Sequence, residues 1–380
     1  MPTELVVANA RVVLPDRVIR GAVQARDGVI ADISEGASVP PGAVDCGGDY
    51  LLPGLVELHT DNLERHLHPR PGVDWPRRAA VAAHDGEFAS VGVSTVLDAI
   101  RVGSIEEADL GRRAADVIEA TAQLRALDLL KAEHFLHLRC EVTSPNLLDE
   151  YAAAGRDPRL RLISLMDHTP GQRQFASLEK YVLFYQERRN LSDAQMQAFV
   201  AAARALQDAH AGPNRRALAA TARAGGFAVA SHDDATPEHV AESVADGVSI
   251  AEFPTTFAAA RASRAAGLHV LMGAPNLLRG GSHSGNVSAM ELAREGLVDI
   301  LSSDYAPASL MLAAFKLAED VPAYDLPRAV ACVTRNPALA VGLADRGAIA
   351  PGLRADLARV YHVERLCVTR ALWRAGERVV

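Results

Sequence analysis

Short apolar runs alternate with amphipathic stretches along most of this chain. Strands are predicted at 55–61, 93–99, 134–141, 161–167, 227–232, 248–253, 269–273 and 299–304. Between them lie Ala- and Leu-rich segments with charges on one face, among them "EEADLGRRAADVIEATAQLRALDLLKA", "TPEHVAESVADG" and "TTFAAARASRAAG". The alternation makes eight βα units, and successive βα units build a parallel sheet. Eight of them around one wide core favour a closed (β/α)8 TIM barrel. The alternative is an open doubly wound sheet, although no G-x-G-x-x-G opens the first unit.

The ends of the chain break the pattern. Segments such as "ELVVANARVVL" and "GAVQARDGVIADISEG" at the start, and "RLCVTRALWRAGERVV" at the finish, read as strands and turns without helices. Residues 1–52 and 345–380 therefore separate from a barrel at 53–344. Within the barrel, residues 169–226 are too long for one unit and read as a helical insertion, either a lid or a helix pair packed outside.

Composition narrows the function. The chain has 380 residues, 49% hydrophobic and 23% charged, enough to bury a large core. A net charge of -8 argues against a nucleic-acid groove, so any anionic ligand must be met by local positive charge. Cys46, Cys140, Cys332 and Cys367 form no C-x-x-C pair, so neither a disulfide framework nor a zinc knot is expected. With no apolar run of membrane length and no secretion signal at the start, no membrane partner and a cytoplasmic location are expected.

The predicted strands end on chemistry. In "LVELHTD", His59 and Asp61 face one side, because residues i and i+2 of a strand do. The next ends carry Glu141, then Asp167 and His168, then His232, and finally Asp304. One such ending is chance; five imply a shared site at the carboxyl face of the barrel. Three imidazoles with three carboxylates suit one or two divalent ions such as zinc, manganese or iron.

Here the residues carry a resemblance. "LLPGLVELHTD" and "TRNPALAVGLADRGAIAPGLRADLA" resemble the entry and exit signatures of the amidohydrolase superfamily. More narrowly, "LHTDNLERHLHPRPGVDWP", "HLRCE", "ASHDD", "EFPTT", "MGAPNLLRGGSHSGN" and "LSSDYAP" are similar to its diphosphatase branch in the carbon–phosphorus lyase pathway. The resemblance implies a metal barrel flanked by a small β-sandwich built from both termini, and a homodimer. It implies hydrolysis of a small phosphorylated ribose phosphonate, α-D-ribose 1-methylphosphonate 5-triphosphate, to the 5-phosphate and pyrophosphate.

On that basis His59, Asp61, Glu141, His168, His232 and Asp304 are expected to hold the metal, Glu141 as a bridge and Asp304 also as general base. Asp61 stands where the superfamily usually has an imidazole. No lysine replaces Glu141, since Lys131, Lys180 and Lys316 avoid the predicted strand ends. A triphosphate needs cations: Arg70, Arg101, Lys180 and Arg279 are the candidates, with Arg65 and Arg173 beside them, and His66, His68 and His283 as further donors. Gly280, Gly281 and Gly285 would let backbone N–H groups approach an anion. Against each arginine stands the plain reading of a solvated surface residue, and against His66 and His68 that of a local anchor. His84, His134, His137, His239 and His269 read as packed core or helix histidines, Cys140 as a core thiol, and Asp98 and Asp167 as groups that orient imidazoles. The rival functions are an amidohydrolase acting on a cyclic amide, N-acyl group or nucleobase, and a silent scaffold.

Overall fold

The computed structural model describes residues 4–103, 110–171, 173, 192–282 and 285–380. The first strands, β1 (Glu4–Val13), β2 (Val18–Arg26), β3 (Val29–Glu35), β4 (Val44–Asp45) and β5 (Tyr50–Pro53), belong to one mixed sheet. Eight parallel strands follow: β6 (Leu55–Glu57), β7 (Val93–Val102), β8 (Glu133–Glu141), β9 (Leu160–Met166), β10 (Ala228–His232), β11 (Ile250–Glu252), β12 (His269–Gly273) and β13 (Ile300–Ser302), paired in sequence order. The chain then returns to the first sheet with β14 (Leu357–Val363), β15 (Leu366–Arg374) and β16 (Glu377–Arg378). There β14 pairs antiparallel with β5, so both termini build the same sheet around a core that includes Val12, Val23, Leu357 and Trp373.

Each predicted barrel strand has a counterpart, because strands covered on both faces read as unbroken apolar runs. β7 "VSTVLDAIRV" is buried at nine of its ten positions. The helices between strands are set by local signals. Thr236 and Thr256 cap Pro237–Ala245 and Phe257–Ala265 by accepting the N–H of His239 and Ala259. Both helices run into glycines at positive φ, Gly247 and Gly267, which turn the chain back toward the next strand.

β6 and β13 close the barrel without forming a regular ladder. At the carboxyl end Asp304 donates its N–H to the His59 carbonyl at 3.1 Å, and Asp61 donates to the Asp304 carbonyl at 2.9 Å. At the other end the turn after the helix Leu326–Ala331 wedges between the strands, the Val333 carbonyl taking the N–H of Val56 and the Cys332 carbonyl that of Leu301. The interior is packed with Val56, Leu97, Phe135, Leu162, Ile250 and Leu271, and Ala338, Val341 and Leu343 join it from the segment after that turn.

The described part of the 169–226 insertion is helical. Asp193–Leu206 begins in a capping box of Ser192 and Gln195, passes through a single π turn at Gln207–Ala211, and continues as Gly212–Gly225. No described helix is long and apolar enough to cross a membrane.

Candidate metal centre and active site

The site is built on the carboxyl ends of the barrel strands. Glu57, fully buried, accepts the N–H groups of His59 and Ser303, both at 2.7 Å, and so pins the ends of β6 and β13 together. Burial pushes its carboxyl up to about 7. Glu252, at the end of β11, is also fully buried. It accepts Nδ1–H of His59 on one oxygen and Nδ1–H of His232 on the other, each at 2.7 Å. Burial would raise the Glu252 carboxyl, but His59 and the hydrogen bond from His232 outweigh it and hold it well below its usual range. With Nδ1 committed in both rings, Nε2 is the lone-pair nitrogen that each turns to the cavity.

Three residues just past the strands adopt left-handed backbone: Asp233 (φ 58°), Phe253 (φ 55°) and Asp304 (φ 54°). Asp tolerates this region, whereas for Phe it is strained. Each kink follows a last sheet-type hydrogen bond, from Asp233 to the Glu252 carbonyl, Phe253 to Leu271 and Asp304 to His59. The effect is to swing the two carboxylates into the mouth, where Asp233 Oδ2 lies 3.4 Å from His232 Nε2. That oxygen is buried without a hydrogen-bond partner.

His168 enters from the segment after β9. Its Nδ1 donates to Glu141 at 2.5 Å, and the other Glu141 oxygen takes the Thr143 hydroxyl at 2.9 Å. Glu141 thus holds His168 as Glu252 holds the other two rings. On the opposite side Asp61 lies 4.0 Å from His59 Nε2 and pairs with Arg139. Burial alone would raise Asp61, yet Arg139 and His59 bring it down to about 2.

The ligand-capable atoms fall into two adjoining triads, His59–Asp61–Asp304 and His168–His232–Asp233, each with donor atoms within 4.8 Å of one another. An orphaned carboxylate oxygen, free imidazole nitrogens and a mixed N/O donor set fit one or two divalent cations. Beside the triads opens a cavity of about 310 Å³, walled by His59, Asp61, His232, Arg139, Arg279 and Asp304, with Gly281 and Ser282 on the rim. Burial pushes the Asp304 carboxyl up, against the pull of His59.

Of the six expected ligands, five converge in the triads, and Glu141 stands behind His168. Arg279 reaches the cavity; Arg70 is exposed and lies elsewhere. Arg101 and His68 border a second hollow between the helix Asn62–Leu67 and the helix Leu110–Ala126. His66 and Arg65 are tied to Glu87, and Arg173 to Asp234 and Glu242. Lys180 and His283 lie outside the described residues. Lys131 and Lys316 donate to Val379 and Asp320, so no described lysine reaches the centre.

Asp98 does orient imidazoles, but those of His84 and His134, in the layer between β7, β8 and the helix Arg77–Ser90. Asp167 accepts from Thr169 and Gln207. His137 is packed as expected, donating Nδ1–H to the Leu58 carbonyl at 2.8 Å. Sequence reasoning did not single out Asp233, Glu252 or Arg139. The first two were signalled by position: "HDD" and "AEF" end strands in the same way as the residues that were chosen. Arg139 shares the strand face of Glu141 two residues on, a clue available in "HLRCE".

Solved structures share this architecture. A protein described as an amidohydrolase matches with a TM-score of 0.63 and 17% identity, covering 99% of this chain and 98% of its own. A 5-methylcytosine deaminase from Klebsiella pneumoniae matches with a TM-score of 0.66 and 16% identity, covering 100% and 98%. The barrel and the sheet built from both termini are the fold of these amidohydrolase structures, and the imidazole–carboxylate groups at its carboxyl end could hold a divalent metal. No family model matches the chain. Sequence carries the assignment further: over 377 residues the chain is 48% identical to the alpha-D-ribose 1-methylphosphonate 5-triphosphate diphosphatase of Escherichia coli (strain K12), covering 99% of this chain and 100% of that one. The chain belongs to that diphosphatase family.

Proposed function

We propose that this chain hydrolyses α-D-ribose 1-methylphosphonate 5-triphosphate to the 5-phosphate and pyrophosphate. The observation that carries the reading is one cavity walled by members of both metal-capable triads together with the guanidiniums of Arg139 and Arg279. A triphosphate brings about four negative charges, and guanidinium forks beside the metal-capable groups suit their phosphate oxygens.

His59, Asp61, His168, His232, Asp233 and Asp304 would hold one or two cations, with zinc favoured and manganese or iron as alternatives for this donor set. A divalent cation supplies Lewis acidity that makes water a competent nucleophile at neutral pH. Glu252 and Glu141 fix the imidazoles by their Nδ1 atoms, so no ring has to reorient when ligands bind. Arg139 keeps Asp61 ionised. Asp304, raised by burial, is the better proton acceptor and takes a proton from the attacking water. Arg279 and the backbone around Gly281 bind phosphate oxygens that gain charge as pyrophosphate leaves. Water adds across the bond between the α-phosphorus and its bridging oxygen to the β-phosphorus, or across the other half of that bridge; either way one P–O bond breaks and one forms.

The test is phosphorus NMR of the triphosphate incubated with enzyme and added zinc, manganese or iron. Equal amounts of 5-phosphate and pyrophosphate are expected. An enzyme that leaves every triphosphate intact but opens cyclic amides or cleaves N-acyl groups would overturn the proposal.

A further inference from the structure

A third cavity, of about 330 Å³, lies at the opposite end of the barrel, where the starts of β8 and β9 meet the terminal sheet. Arg125, Arg159, Arg354 and Arg374 line it, against Glu133 and Asp128. Such a cluster can be adhesive between sheets, and part of this one is: Arg354 and Arg346 both grip Glu133. Burial would raise Glu133, but these two arginines outweigh it and hold it down at about 2.

The remaining charge is used up only in part. Arg374 is fixed by neutral acceptors, donating Nη1–H to the carbonyls of Leu130 and Ala132 at 2.8 and 3.3 Å, with Asp128 no nearer than 3.6 Å. Arg159 donates Nε–H to the His134 carbonyl at 2.9 Å and Nη2–H to Glu133 at 3.1 Å. Its ring-side neighbour is Phe135, over which the guanidinium stacks at 4.2 Å. Arg125 stands close enough to repel Arg159 and forms no ion pair with any described carboxylate. Arg354 is taken up by two carboxylates, Glu133 on Nη1 and Asp356 3.0 Å from Nε, so the surplus rests on Arg125, Arg159 and Arg374. Carbonyls hold a guanidinium in place without neutralising it, so the pocket carries surplus positive charge in a fixed geometry.

We propose that this cavity is an anion site for a phosphate-class ligand, a phosphomonoester or pyrophosphate, separate from the metal-bearing mouth. Guanidinium forks converging from the end of the helix Leu110–Ala126, from β15 and from the turn before β9 suit a tetrahedral oxyanion. The site does not depend on the reading of the catalytic face.

Titrating inorganic pyrophosphate into the metal-loaded protein by calorimetry tests it, using wild type, Arg125→Glu and Arg279→Ala. Two classes of site are expected in wild type. Arg125→Glu should weaken one class at least about tenfold, and Arg279→Ala the other. An Arg125→Glu protein that titrates like wild type overturns the proposal. A readout that needs no variant is phenylglyoxal labelling of Arg125 in wild type, followed by peptide mass spectrometry. Pyrophosphate should slow labelling about tenfold, and equal labelling with and without it would also overturn the proposal.

Discussion

The Glu252 carboxylate accepts Nδ1–H of His59 at 2.7 Å, reaching across the barrel from the end of β11 to the end of β6. Its second oxygen does the same for His232, so one anion fixes two rings. Glutamine has the same shape but offers one acceptor and an NH2 group. In Glu252→Gln one ring must meet a donor, move its proton to Nε2 and lose the nitrogen that faces the cavity. Metal affinity is expected to fall about 10- to 100-fold with the fold retained. Metal analysis after dialysis against graded chelator checks this, and full occupancy at every chelator concentration would contradict it.

Asp304 closes the barrel with its backbone and serves the cavity with its side chain. Asparagine tolerates left-handed φ as aspartate does, so Asp304→Asn should keep the closure and a melting temperature close to wild type. Turnover is expected to drop about 10²- to 10⁴-fold, with KM little changed. Pyrophosphate release at wild-type rates would remove Asp304 from the role of base.

Arg279 and Arg70 looked alike in sequence, both in loops next to predicted strand ends. The structure separates them: Arg279 ends the helix Ala274–Arg279 at the cavity wall, and Arg70 is exposed outside it. Arg279→Ala should raise KM for the triphosphate by about tenfold or more, whereas Arg70→Ala should change it by less than about twofold. Steady-state kinetics on the two variants decides, and equal effects would mean that the substrate extends beyond this cavity.

That contrast shows what could be read in the chain and what could not. Strand positions were legible because buried parallel strands are apolar throughout, and the residues that end them were legible because polarity after such a run has to be explained. Asp233 and Glu252 were within reach of the same argument. The role of Glu141 was not, since whether a carboxylate meets a metal or an imidazole depends on the His168 ring, 27 residues away. Loop arginines were hardest: their direction is set by turns whose glycines and left-handed residues specify backbone and leave no periodic mark.

The same limit applied to His134, read from sequence as a packed core histidine. It is buried, and both ring nitrogens face carboxylates, Asp98 at 2.9 Å and Asp85 at 3.2 Å. Both must therefore carry hydrogen, and the ring is a cation. Burial opposes that charge, but Asp98 and Asp85 prevail and raise its pKa from 6.5 to about 10. Since the folded value lies above the unfolded one, the stabilisation is fully present below pH 6.5 and is lost as pH climbs through about 10. His134→Gln removes the cation and leaves two buried carboxylates short of donors, at a cost of about 3–5 kcal/mol near neutrality. Urea midpoints for the two proteins should thus lie far apart at pH 7 and draw together by pH 10. A gap that stays constant over that range would mean the ring is neutral in the folded protein.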